Sequence, residues 1–138
     1  MSQADALVAR VGAGDSLEGA TLASLDLRGR KLSGAKLAGA KLLQVRLDGA
    51  DLSHADLSGA TIIDCSFADA LLDGAVLADV QIAESGFEGA DLSGCRLDGA
   101  RVVLCDLRKA RLAGMSLTKA SLVKCDLSGA SFADAQLH

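Results

Sequence analysis

At 138 residues and a net charge of −4, the chain is sized for one domain with a modest core. Proline, tryptophan and tyrosine are absent, and hydrophobic residues make up 50%, a share that argues against an intrinsically disordered chain. No apolar run approaches the roughly 18 residues of a membrane span, and so mild a charge gives no ground for direct nucleic-acid binding.

The first element in chain order is a helix. Ser2-Gln3-Ala4-Asp5 has capping-box spacing, and Ala6, Leu7, Val8 and Val11 offer one apolar side before Gly12 and Gly14. The pattern predicts a short helix over residues 3–12, lidding whatever follows. The opening residues also lack a basic start and an apolar core, so no secretory leader is expected and the chain is assigned to the cytoplasm. Asp15-Ser16-Leu17-Glu18-Gly19 reads as a degenerate entry unit, because an inward Asp15 would be a costly buried charge. Residues 1–19 are therefore expected to form a cap and entry segment, and residues 20–138 the main body.

From Ala20 onward the sequence repeats every five residues without an insertion. Starting at Leu22, the 24 central positions are 18 Leu, three Phe, two Ile and one Val. Two residues before each centre stands Ala in 14 of 24 units, and all four cysteines fall in that slot. Two residues after the centre stand 11 of the chain's 15 glycines. An α-helix would smear a five-residue period over every face, and a straight strand would alternate it between two faces. A chain that turns a corner every five residues keeps every centre inward. Four such sides close a square coil of 20 residues, and stacked coils pair as parallel ladders. Gly two after the centre suits the left-handed site of a type II turn, and the lack of proline leaves the ladder donors intact.

Units such as Ala50-Asp51-Leu52-Ser53-His54, Ala55-Asp56-Leu57-Ser58-Gly59 and Ala90-Asp91-Leu92-Ser93-Gly94 resemble the A(D/N)LxX motif of pentapeptide-repeat proteins. The resemblance spans residues 20–138. It implies an all-β fold: a right-handed quadrilateral parallel β-helix of about six coils, with the N-terminal helix as its cap. At a strand spacing of ~4.8 Å, six coils make a rod of roughly 29 Å.

Little in the sequence speaks for catalysis. His54 and His138 stand isolated in outward slots, and no phosphate loop, catalytic dyad or cofactor fingerprint is present. No enzyme, cofactor or metal is expected. Cys65, Cys105 and Cys125 share one side of the square, and Cys105 and Cys125 fall one coil apart. Without a CxxC spacing or a histidine partner they read as free buried thiols, as does Cys95. Arg30 is the single charge in an inward slot, and is expected to lie under the lid and cap helix carbonyls.

The outward charges are segregated along the chain. Asp48, Asp51, Asp56, Asp64, Asp69, Asp73, Asp79, Glu84, Glu88 and Asp91 form an acidic belt with no base among residues 48–95, between two basic collars. The resemblance brings in family members that protect DNA gyrase by imitating a duplex, so a DNA-mimic regulator of a type II topoisomerase is one reading of the belt. The net charge is far sparser than the one charge per ~1.7 Å of duplex DNA.

The other reading rests on an apolar column in the slot after the centre: Ala23, Leu43, Ile63, Ala83, Val103 and Val123, with Leu104 beside it. An outward apolar stripe marks protein contacts. The leading expectation is a non-catalytic binding or scaffold rod, with Leu43, Ile63, Val103, Leu104 and Val123 as its interface. The C-terminal coil, ending at Leu137-His138, carries no lid, and a homodimer through that open face is expected.

Overall fold

The computed structural model describes residues 2–136; the Leu137-His138 end, on which the homodimer expectation rests, lies outside them. A helix, α1 (Gln3–Gly12), precedes six three-residue strands: β1 (Thr21–Ala23), β2 (Lys41–Leu43), β3 (Thr61–Ile63), β4 (Gln81–Ala83), β5 (Arg101–Val103) and β6 (Ser121–Val123). They form one parallel sheet in chain order. Each strand pairs with the residues 20 positions on, so Leu22 lies beside Leu42, and Ile62 beside Ile82. Single parallel bridges carry the same register round the other three sides, as in Asp26 with Arg46, Lys31 with Asp51 and Lys36 with Asp56. The fold is the parallel solenoid expected from the five-residue period.

The centres fill the interior. Leu27, Leu47, Leu57, Ile62 and Phe67 are all but sealed from solvent, and Phe67 stacks on Phe87 with ring centroids 4.6 Å apart. The solenoid starts before Ala20: Ser16 bridges Lys36, and Leu17 is buried while its N–H donates to the Lys36 carbonyl. Asp15 stays outside, 3.6 Å from Arg10. The lid is α1, capped by Ser2 Oγ accepting from the Asp5 N–H, with the Asp5 carboxylate accepting from the Ser2 N–H in return. Leu7 is buried beneath it, with Val8 and Val11 packed on the core.

The four corners of the square are not alike. At three of them the centre carbonyl accepts from the N–H three residues on, as Leu57 does from Ala60 at 3.0 Å, and the residue two after the centre has positive φ. These are the expected type II turns, with Gly59 at φ +67. The turn is tight, and the slot that follows it holds Ala. The bond is longer at three larger side chains, 3.2 Å at Arg30 and Val80 and 3.3 Å at Met115, against 2.9–3.1 Å at the alanines, while the smaller Cys95 keeps 3.0 Å.

The corner after each strand is open. No such bond forms at Leu25, Val45, Cys65, Ser85, Cys105 or Cys125, and none of these six residues is Ala. The residues in the left-handed conformation there are Ser24, Gln44, Asp64, Glu84, Leu104 and Lys124, at φ 53–56°, and none is Gly. Cysteine and serine side chains in this slot bond nearby backbone groups. Cys65 Sγ donates to the Leu42 carbonyl at 3.3 Å, Ser85 Oγ donates to the Ala83 carbonyl at 3.0 Å, and Ser85 Oγ accepts from the Cys65 N–H at 3.1 Å. Cysteine and serine here are corner ligands, which the five-residue filter alone did not reveal.

Arg30 differs from expectation. Its Nη2 lies 2.9 Å from Asp5 Oδ1, so it meets a carboxylate at the start of α1 and not the helix carbonyls. A long side chain has no room inside a tight corner. It runs out past the end of the first coil, where the capping-box acid is the nearest acceptor.

Candidate functional site

The strand side is the one face with continuous extended backbone, and the register carries it from Ala23 through Leu43, Ile63, Ala83 and Val103 to Val123. The column is therefore contiguous. Ile63 and Val123 are 36% and 42% exposed and Leu104 beside them 52%, while Leu43, Ala83 and Val103 are half-buried. Ala83, between two larger neighbours, leaves a shallow dip rimmed by Thr61, Ile63, Gln81, Arg101 and Val103. One flank of the column carries Lys41 and Arg101, and the other carries Asp64 and Glu84; all four are exposed. Among the described residues none of the four forms an ion pair. Leu71, 42% exposed on a different side between Asp51 and Asp91, is an isolated apolar residue outside this face.

The acidic belt is spread round the square. The 20-residue register sets Asp64 and Glu84 at the strand-side corner, and Asp48, Asp69 and Glu88 on the next side. Asp51, Asp73 and Asp91 lie on the third side, and Asp56 and Asp79 on the fourth. Much of the belt holds the backbone. Asp51, Asp56 and Asp91 each accept from the N–H two residues on, at Ser53, Ser58 and Ser93, all at 3.0 Å. Asp48 accepts from the Ala68 N–H one coil away, and Asp73 from Ser53 Oγ at 2.6 Å. Asp64, Asp69, Asp79 and Glu84 occupy left-handed corners, which aspartate tolerates better than most residues. Glu88 lies 3.3 Å from Arg108, whose stronger partner Asp106 is 2.7 Å away and held below the usual carboxylate range by that guanidinium.

The thiols at Cys65, Cys95, Cys105 and Cys125 are free. Burial pushes Cys95 up to about 12 and Cys105 up to about 11, well away from a reactive thiolate. His54 sits at a left-handed corner with its ring over Gly74, and His138 lies outside the described residues. Among the described residues no three His, Cys, Asp or Glu side chains are grouped to hold a metal ion, and no helix is long and apolar enough to cross a membrane.

The sequence pattern of the pentapeptide repeats matches in 8 copies, over residues 31–67, 62–99 and 105–138. The chain belongs to the pentapeptide-repeat family. Among solved structures, the pentapeptide repeat protein Rfr23 from the cyanobacterium Cyanothece 51142 superposes with a TM-score of 0.65 at 21% identity, over 95% of this chain and 97% of that one. HetL, a pentapeptide repeat protein involved in heterocyst differentiation regulation in Nostoc sp. strain PCC 7120, matches at TM-score 0.30 and 21% identity, covering 94% and 92%. Full-length QnrB1, a plasmid-mediated fluoroquinolone resistance protein, matches at TM-score 0.33 and 21% identity, covering 85% and 81%. No curated protein sequence matches significantly. The likeness to Rfr23 shows the same fold.

Proposed function

We propose that this pentapeptide-repeat chain is a non-catalytic rod that binds a protein partner through its strand side. The observation that carries the reading is the contiguous column from Ala23 to Val123, apolar at all six positions on the one continuous sheet face. Contiguous exposed apolar surface of this kind serves contact on an otherwise polar molecule. A rod whose interior is filled end to end by Leu, Ile and Phe keeps such a face flat and pre-organised, so little entropy is lost on docking.

The experiment places a benzophenone photo-crosslinker at position 83, and in a control at Ala113 on the opposite side, in the protein's native host. A defined protein adduct from position 83 alone, lost when Ile63→Lys and Val103→Lys are combined, is the expected result. Equal adducts from both positions, or none from 83, would sink the reading. A cytoplasmic setting is part of the same proposal, since four unpaired thiols suit a reducing compartment. Self-association through the coil holding Leu122, Leu127 and Phe132, which are only half-buried, is a separate proposal, and a monomeric mass in solution would end it.

A DNA-mimic regulator of gyrase or another type II topoisomerase is the second reading. It rests on the ten acids and no base among residues 48–95. Two features weigh against it: the acids encircle the rod instead of running along one side, and several are engaged by local N–H groups and serines.

A further inference from the structure

Resting on the strand-side reading, we infer that the occupant of this face is an amphipathic α-helix laid along the rod, basic on one flank and acidic on the other. Its apolar stripe sits on the column. Its basic flank meets Asp64 and Glu84, and its acidic flank meets Lys41 and Arg101.

The dimensions carry the first part. The column advances by about 4.8 Å per coil, and a helix by about 5.4 Å per turn, so one side chain per turn keeps step with one coil. The mismatch of about 0.6 Å per step amounts to about 1.2 Å between Ile63 and Val103, within the play of a side chain. A large residue on the middle turn drops into the dip at Ala83 between Ile63 and Val103. From the Thr61 column to the Asp64 column is three residues, about 10 Å, and a helix is about 10–12 Å across. The helix therefore fits between the charged flanks with its own flank residues over them. An added β-strand would not: the strand side already pairs in register from β1 to β6, and its ladder groups are used within the sheet.

The charges carry the second part. Lys41, Arg101, Asp64 and Glu84 are exposed and without ion-pair partners among the described residues, both bases on one flank of the column and both acids on the other, with Lys124 closing the acidic flank at the last coil. A second copy docked antiparallel over all six column residues sets Lys41 opposite the Arg101 of the other copy, and Asp64 opposite its Glu84, and like charges so placed are repulsive. Docked parallel, it lays basic flank over acidic flank, and a dimer through this face is an outcome that the test below reads.

The test uses the full chain and three fluorescent helical peptides of about 18 residues, enough to span the column at 1.5 Å per residue. All carry the same leucine stripe; one has a lysine flank and a glutamate flank, one has lysine on both and one glutamate on both. Anisotropy titrations of the native chain are expected to favour the mixed peptide by about tenfold over either uniform one. The pair Asp64→Lys and Glu84→Lys, which makes both flanks basic, is expected to shift the preference to the all-glutamate peptide. Ile63→Lys with Val103→Lys is expected to abolish binding of all three with the thermal transition retained. Equal affinity for the three peptides, or a ranking unchanged by Asp64→Lys and Glu84→Lys, overturns the proposal. So does a native dimer that dissociates on Ile63→Lys with Val103→Lys. If position 83 still crosslinks to a protein while no peptide binds, the face docks something other than a helix, and only this inference falls.

Discussion

Arg30 reaches back across 25 residues to place its guanidinium 2.9 Å from the carboxylate of Asp5. Asp5 thus serves two masters: it closes the capping box at the start of α1 and anchors the lid to the first coil. A helix of 10 residues is marginal alone, so its place depends on that anchor and on Leu7 and Val11 below.

The cap is expected to be acid-sensitive. The hydrogen bond from Ser2 and the pairing with Arg30 hold the Asp5 carboxyl below its usual 3.8. A depressed carboxyl contributes its full stability above the unfolded value and loses it as the pH falls through the folded one. Asp5→Asn should lower the urea midpoint at pH 7, and the gap to the native chain should close below about pH 4. A gap independent of pH from 7 to 2 would show that the pairing adds nothing.

Valine should cost more at a tight corner than at an open one. Ala90 follows a tight turn whose bond to the Phe87 carbonyl is 3.0 Å, and Ala90→Val is expected to cost about 1–3 kcal/mol through overpacking. Cys105 follows an open corner in the column that already holds Val45, so Cys105→Val should cost less than about 1.5 kcal/mol. Equal midpoints for the two variants in a urea titration would contradict the distinction between corners.

Thiol chemistry should follow burial. Cys65, Cys95 and Cys105 are buried with their pKa values raised by that burial, while Cys125 is only half-buried. Iodoacetamide at pH 8 is expected to label Cys125 first in the native protein, and the other three only after denaturation. Mass spectrometry of the alkylated peptides reads the order directly.

Gyrase supercoiling is expected to be unaffected by micromolar protein at physiological salt, because the acids encircle the rod. Salt-sensitive inhibition that disappears with Asp64→Asn, Glu84→Gln and Asp91→Asn would reverse that judgement and restore the DNA-mimic reading.

The five-residue period, the small residues before each centre, the glycines after it and the helix over residues 3–12 were legible in the chain, because each depends on contacts within a few residues. The apolar column was legible too, since it needs only the 20-residue count. The inequality of the corners left a trace that a five-residue view blurs: no Ala at Leu25, Val45, Cys65, Ser85, Cys105 and Cys125, and no Gly at the residue before each. Its cause is tertiary. Whether a corner closes its turn bond or hands its carbonyl to a cysteine one coil on depends on how stacked coils meet. Tertiary structure likewise decided that Arg30 finds Asp5, and that acids consecutive in sequence face four directions in space. A local pattern settles whether a side chain points in or out, whereas the neighbour it meets lies about one full coil away and is chosen only when the coils stack.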